Sequence, residues 1–103
     1  MTVADIRDMV LQADPYASHY EQHGSLRDYT VWREYRRLPA TADDRHVPGW
    51  AFQIDRFTQM EYDPVADSIE DVLEDTPNVS YSYSVDFEND TGFIHHIFDC
   101  EGY

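Results

Sequence analysis

The strongest pattern in the sequence is an alternation of apolar and polar residues from Trp50 to Phe57. Trp50, Phe52 and Ile54 fall on one side of an extended chain, and mostly polar side chains lie between them. This is the period of a strand that is buried on one face. We therefore predict a strand here and expect the rest of the chain to pack around it.

The period changes to three and four residues after Asp63 and Pro64. Asp63 suits the position before a helix, where its carboxylate accepts hydrogen bonds from unpaired N–H groups. Pro64 suits the first helical position because its missing N–H costs nothing there. The apolar stripe of this predicted helix consists of Val65, Ala66, Ile69, Val72 and Leu73. Its opposite side is acidic and consists of Asp67, Glu70, Asp71 and Glu74.

Similar patterns predict one more helix and three more strands. An apolar stripe from Thr2 to about Ala13 indicates a helix, with Thr2 as its N-cap and Asp14-Pro15 as its end. The further predicted strands are Tyr29–Arg36, rich in aromatic and β-branched residues, Val79–Phe87, which alternates strictly, and Phe93–Tyr103. We expect Val79–Phe87 to pack its apolar face on a helix.

The predicted elements follow the order helix, two strands, helix, two strands within a single domain, residues 1–103. This order favours an α+β fold with a four-stranded, mostly antiparallel sheet and two helices on one face. Two segments have no clear period. We expect a loop at Tyr16–Arg27 and a long connection between antiparallel strands at Leu38–Pro48, and long connections often carry binding residues.

Charge is the unusual property of the composition. The chain has 21 Asp and Glu residues against 7 Lys and Arg, a formal net charge of −14. Phosphate backbones repel such a polyanion, which argues against a nucleic-acid-binding protein. Four interpretations stay open: solubility alone, a surface that repels DNA, a mimic of DNA, or a basic partner. The 42% hydrophobic and 15% aromatic content indicates a folded, aromatic-rich sheet protein.

No pattern in the sequence predicts an enzyme, a cofactor or a metal site. Cys100 is the only cysteine, and we expect it to be a packed apolar side chain. Asp86–Gly92 begins like a calcium loop but has Ile97 at the twelfth position, so we interpret it as a hairpin turn. His95 and His96 are adjacent and would point to opposite faces of a strand. The sequence has no signal peptide pattern and no apolar run of membrane-spanning length, which predicts a soluble protein made in a cytoplasm.

In the order and spacing of its elements, the chain resembles the tail completion (tail terminator) proteins of long-tailed bacteriophages. The resemblance covers nearly the whole chain. It rests on the opening helix that ends at Ala13-Asp14-Pro15, the strand Tyr29–Tyr35, the segment Phe52–Phe57, the helix Asp63–Leu73 and the closing segment Asn89–Asp99.

This resemblance implies a structural protein of the virion, located at the head-proximal end of the tail and made in the bacterial host cytoplasm. Proteins of this kind form a ring, usually a hexamer, that caps the tail tube and joins it to the head. The implied partners are further copies of the chain, the tail tube protein and the head completion or connector protein. DNA passes through the ring without specific binding, and an acidic lining would repel its backbone and let it slide.

The placement of charges predicts where such a ring closes. A basic run at the end of the predicted strand Tyr29–Arg36 lies close in sequence to a charged part of the long connection. We predict that opposite charges meet between subunits in a head-to-tail arrangement, which closes into a ring when the rotation allows. The predicted contact residues are Arg33, Arg36, Arg37, Asp43, Asp44, Arg45 and His46.

The alternative function is that of a small acidic inhibitor that mimics DNA and binds a nucleic-acid-binding host protein. The −14 charge on one small domain supports this alternative, because carboxylates at phosphate-like spacing fit a basic cleft. The densest acidic cluster in the sequence consists of Glu70, Asp71, Glu74 and Asp75.

Overall fold

A computed structural model describes residues 1–22, 27–40 and 47–103, and these contain two helices and five strands. In chain order the elements are α1 (Val3–Ala13), β1 (Ser18–His19), β2 (Tyr29–Leu38), β3 (Gly49–Thr58), α2 (Pro64–Asp75), β4 (Val79–Phe87) and β5 (Ile94–Gly102). The predicted α+β class is confirmed. Within these residues, neither helix has the length and apolar character needed to cross a membrane.

The sheet has five strands in the order β1-β2-β3-β5-β4, with β1 parallel to β2 and every other pair antiparallel. The predicted four-stranded sheet and the predicted element order are therefore wrong by one strand. The additional strand, β1, lies in the segment Tyr16–Arg27 that the sequence predicts to be a loop. Two residues are too few to show a period, and β1 is positioned by a tertiary contact in which His19 stacks on Trp32 at 3.8 Å between ring centroids.

Both predicted helix N-termini are confirmed. At α1, the Asp5 backbone N–H donates to Thr2 Oγ1 at 3.1 Å, and the Thr2 N–H donates to Asp5 Oδ2 at 2.8 Å, which completes a capping box. At α2, Asp63 Oδ1 accepts from the Val65 N–H at 3.1 Å, and Pro64 occupies the first turn. Local capping chemistry therefore sets where both helices begin.

The core lies between the two helices and one face of the sheet. Its buried side chains are Ile6, Met9, Val10, Trp32, Phe52, Ile54, Ile69, Leu73, Phe98 and Cys100. Because the strand members of this set alternate with outward-facing residues, both helices cover the same face, as predicted. Cys100 is fully buried, which confirms its predicted packing role.

A β-bulge in β2 changes which of its residues face the helices. The register passes from Glu34 opposite Phe52 to Arg36 opposite Ala51, so Tyr35 is an extra residue in the ladder. The residues of β2 after Tyr35 therefore lie on the opposite face from the one that strict alternation would give them. Arg36 lies on the open face of the sheet, away from the helices.

The prediction that the apolar face of β4 packs on a helix is wrong for its second half. Val79 and Tyr81 pack against the core, but Tyr83, Val85 and Phe87 are 39%, 56% and 57% exposed. The reason is length: α2 has 12 residues and spans about 18 Å. The nine residues of β4 span about 30 Å. The helix therefore leaves the end of the strand uncovered.

Candidate interaction surfaces

The predicted ring contact is described only in part. Asp43, Asp44, Arg45 and His46 lie outside the described residues, so their place relative to β2 stays a prediction. Arg33, Arg36 and Arg37 are all exposed and all belong to β2. The three arginines share one strand but not one face, because Arg33 and Arg36 lie on the open face, whereas Arg37 lies opposite Trp50 on the helix face.

Each of these arginines has a contact within its own chain. Arg33 lies 5.8 Å from the centre of the Tyr35 ring, and Arg37 lies 4.6 Å from that of Trp50. Arg36 Nη2 is 3.3 Å from Glu101 Oε1, and the Arg36 side chain is 56% exposed. Stacking on a ring leaves the edge of a guanidinium group able to donate hydrogen bonds to another molecule. We define Arg33, Arg36 and Arg37 as the arginine edge.

The helices carry a surface of opposite charge. The acidic residues of both helices, two in α1 and five in α2, are Asp5, Asp8, Asp67, Glu70, Asp71, Glu74 and Asp75. Arg7 is the single basic residue in the two helical segments. All of the acidic residues except Glu70 are classed as exposed. We call this set the acidic helix layer.

The acidic helix layer is joined to β4 through Tyr81. The Tyr81 hydroxyl lies 2.5 Å from Glu74 Oε1 and 3.1 Å from Glu70 Oε2, and these two acceptors share its single proton. The hydrogen bond to Glu74, followed by burial and the bond to Glu70, raises the pKa of Tyr81, so the phenol stays protonated as a donor. This contact orients the carboxylates of Glu70 and Glu74 and leaves both of them accessible to solvent.

The open face of the sheet combines hydrogen-bonded polar side chains with an aromatic cluster, in which Phe57 stacks on Tyr29 and His95. His95 Nε2 lies 2.7 Å from Asp55 Oδ1, and the Tyr35 hydroxyl donates to Asp99 Oδ1 at 2.6 Å. The hydrogen bond to Asp99 raises the pKa of Tyr35, which keeps this phenol a donor. A shallow depression of about 330 Å³ is lined by Tyr35, Arg36, Ser80, Tyr81, Ser82, Asp99 and Glu101. Its chemistry suits hydrogen bonding to another surface.

A buried ion pair connects the two helices to the middle of the sheet. Arg56 Nε lies 2.7 Å from Asp63 Oδ2, and Arg56 Nη1 lies 3.7 Å from Asp14 Oδ2 and 3.4 Å from Thr30 Oγ1. The Arg56 and Asp63 side chains are 7% and 1% exposed. Sequence analysis missed this group, although an arginine on the apolar side of a strand and two Asp-Pro pairs at helix ends were visible signals. Its role is structural, because it joins the end of α1 to the start of α2.

The end of β1 is held by an aromatic and acidic cluster. The His19 ring lies between Tyr20 and Trp32, with centroid distances of 3.7 and 3.8 Å. Its Nε2 is 2.8 Å from Glu34 Oε2, and the Tyr20 hydroxyl donates to the other oxygen of Glu34. Burial acts to raise the pKa of Glu34, but the bonds from Tyr20 and His19 outweigh it, and the pKa is lowered. Glu34 is therefore held as a carboxylate.

His96 is the buried titratable group nearest to the uncovered end of β4. Its Nδ1 lies 2.5 Å from the Tyr83 hydroxyl, and its buried Nε2 has no hydrogen-bond partner within the described ranges. Burial lowers the pKa of His96, so the ring is held neutral. In residues 1–22, 27–40 and 47–103, no group of three or more His, Cys, Asp and Glu side chains is arranged to hold a metal ion.

Comparison with known proteins adds no relative: no protein-family model matches the chain, and no curated protein matches it. The surfaces of this chain that are available for contacts are the arginine edge, the acidic helix layer and the exposed second half of β4.

Proposed function

We propose that this protein is a structural, non-enzymatic component of a long-tailed bacteriophage, a ring-forming subunit that caps the tail tube and joins it to the head. The ring is a homo-oligomer, a hexamer in proteins of this kind. The resemblance drawn from the sequence motivates the proposal; the structure has the two predicted helices and four predicted strands and adds β1 to them.

The observation that carries the proposal is the separation of charge between two surfaces of one small domain. The arginine edge lies on β2, near one side of the sheet, whereas the acidic helix layer covers one face. Two complementary, non-identical surfaces on one subunit are what a head-to-tail contact requires, and such contacts close into a ring when the rotation between subunits allows. Electrostatic complementarity of this kind sets orientation and association rate.

The same separation suits a channel for DNA. Carboxylates that are not used between subunits remain in excess, since the chain carries a net charge of −14. A ring with such a surface at its lumen repels the phosphate backbone, so that DNA slides through without binding. The proposal thus places carboxylates of the acidic helix layer toward the lumen.

The test is assembly on tail tubes. The full chain is mixed with polymerised tail tube protein encoded in the same genome, and tube ends are examined by electron microscopy. We expect an added ring at one end of each tube and an arrest of further elongation. Tubes that continue to grow, with bare ends at saturating protein, would contradict the proposal.

Charge reversal identifies the ring contact. Arg33→Glu combined with Arg37→Glu should abolish capping, because it places carboxylates against the acidic surface of the next subunit. Arg7→Glu is the matched control, since Arg7 is also exposed but lies on α1 and pairs with Asp8 at 2.9 Å. Circular dichroism checks that both variants fold. If both variants cap tubes equally well, the arginine edge is not part of the contact between subunits.

A second candidate function follows from α2 alone. Its 12 residues include five carboxylates and no basic residue. Carboxylates on such a helix can take the place of duplex phosphates in a basic cleft. An inhibitor that mimics DNA requires this kind of surface.

One pair of variants separates the two candidates. Asp71→Asn with Asp75→Asn removes two exposed carboxylates from α2, and Asp90→Asn in the β4–β5 turn is the control. An inhibitor should lose salt-sensitive binding to its basic target, measured by capture from host lysate at two salt concentrations. A ring-forming subunit should keep most of its capping activity, because five of the seven carboxylates of the acidic helix layer remain.

A further inference from the structure

We propose that β4 is a self-pairing edge, through which two copies of this chain join their sheets antiparallel about a two-fold axis at Tyr83. This inference does not depend on the proposed function. It concerns the side of the sheet opposite to β1 and β2, where the predicted ring contact lies.

The outer edge of β4 is exposed and unprotected. β5 is its only strand neighbour among the residues that the structure describes, so its other side presents backbone N–H and C=O groups. Edge strands of β-sheets are usually protected from pairing with other chains by proline, lysine, β-bulges or short length. The nine residues of β4 contain no proline and no basic residue, and the register with β5 runs from Val79 to Phe87 without a bulge.

The other side of the sheet has the protection that β4 lacks. The outermost strand there, β1, has two residues, and β2 beyond it carries a bulge and three exposed arginines. The two edges differ in sequence as well as in length. This contrast points to β4 as the edge that accepts another strand.

The sequence of β4 is complementary to itself in one register. When Tyr83 lies opposite Tyr83 of the second copy, all nine residues pair, and Val79 meets Phe87. Tyr81 then lies opposite Val85, and Ser82 lies opposite Ser84. Asp86, the single charged residue of the strand, lies opposite Ser80, so no like charges meet directly. Apolar residues therefore face apolar residues, which argues for a second copy as the occupant.

Antiparallel pairing also covers the exposed end of the strand. α2 contacts the first half of β4, where Tyr81 bonds to Glu70 and Glu74, and leaves Val85 and Phe87 exposed. In the paired arrangement, the first half of one β4 lies beside the second half of the other. Val85 then packs beside Tyr81 of the second copy, so each subunit covers the apolar surface that the other leaves open.

The negative charge of the two copies opposes this association and makes it depend on the salt concentration. Each copy carries a net charge of −14, and the α2 carboxylates of two copies approach one another on the helix side. Salt screens this repulsion, since the Debye length falls from about 30 Å at 0.01 M to about 10 Å at 0.1 M. In sedimentation velocity at fixed protein concentration, we expect the dissociation constant to fall about tenfold or more between 20 and 500 mM NaCl. A monomer at both salt concentrations would overturn the proposal.

The register is tested by cysteine substitution at two exposed serines. Ser82→Cys and Ser84→Cys proteins are prepared separately, mixed at 500 mM NaCl and oxidised. We expect a disulfide-linked dimer in the mixture, because residues 82 and 84 lie opposite each other, and little from either protein alone. The native Cys100 does not interfere, because it is fully buried and burial raises the pKa of its thiol. A crosslink from Ser82→Cys alone would refute this register.

Val85→Glu tests the apolar contact, with Val47→Glu as its control. Both valines are 56% exposed, so the two substitutions have similar effects on the isolated chain, but only Val85 lies on β4. We expect Val85→Glu to abolish the dimer and Val47→Glu to retain it, with unchanged circular dichroism. Because neither valine belongs to the arginine edge, tube capping by a dimer-deficient variant is a separate result that leaves the proposed function intact.

Discussion

At the scale of residues, most polar groups in the interior of the described part of this fold are matched to hydrogen-bond partners. Arg56 is paired with Asp63, and Tyr83 is bonded to His96 Nδ1. The exceptions in the described part of the chain are the side-chain amide of Gln22, Trp50 Nε1 and, as the only titratable group among them, His96 Nε2, which is buried without a partner. A neutral imidazole tolerates that environment far better than a charged one.

His96 therefore makes stability depend on pH. Burial lowers its folded pKa below the ordinary 6.5, opposed by Asp63 and Asp67 and reinforced by Arg56 and His95. The unfolded chain then binds the proton more readily, so stability is complete above pH 6.5 and falls as the pH decreases through the folded pKa. We expect the loss of unfolding free energy between pH 7.5 and 5.5, measured with urea, to be smaller in His96→Gln. An equal loss in the parent and the variant would contradict this assignment.

At the scale of elements, Arg56 joins the end of α1 to the start of α2 through Asp14 and Asp63. The two helices begin with different kinds of cap. Thr2 caps α1 at the surface, whereas Asp63 caps α2 and also pairs with buried Arg56. Asp63 thus has two roles, since one carboxylate oxygen accepts from the Val65 N–H and the other faces Arg56. Loss of its charge leaves the buried guanidinium group with Asp14 at 3.7 Å as its remaining ion-pair partner, beside the neutral Thr30 hydroxyl.

Asp63→Asn separates these roles, because the amide oxygen still caps the helix while the charge is lost. We expect a loss of about 3 kcal/mol in unfolding free energy, the scale for breaking a buried ion pair. Thr2→Ala, the control at an exposed cap, should cost about 1 kcal/mol. Urea unfolding measures both. If Asp63→Asn costs no more than Thr2→Ala, Arg56 does not depend on this partner.

At the scale of the whole molecule, a net charge of −14 is distributed over surfaces of different character. Carboxylates cover the helices and extend to the last turn of α2, where Asp75 lies near a C-terminus that already carries partial negative charge. Arginines lie on β2, and β4 carries a single charge. The molecule therefore combines a repulsive face, an attractive edge and an edge that is nearly uncharged.

Neutralising the acidic end of α2 should stabilise the fold. Asp71→Asn with Asp75→Asn removes self-repulsion and an unfavourable interaction with the helix dipole, and we expect a gain of about 0.5–1 kcal/mol at low salt. The gain should shrink in 500 mM NaCl because salt screens exposed charges. Asp67→Asn, in the first turn where a negative charge is favourable, should give no gain. Thermal unfolding at the two salt concentrations measures all three proteins, and a gain that is independent of salt would contradict the electrostatic cause.

The sequence by itself determined the elements whose causes are local. Asp63 and Thr2 start helices through hydrogen bonds to residues two or three positions away, and alternation from Trp50 onward assigns core and open faces within one strand. Tertiary structure decided β1, the bulge at Tyr35 and the edge position of β4. These features depend on pairing between residues distant in the chain, which a local period does not record. For the same reason, the sequence located the arginine edge but missed the exposed half of β4, which exists because a helix of about 18 Å covers a strand of about 30 Å.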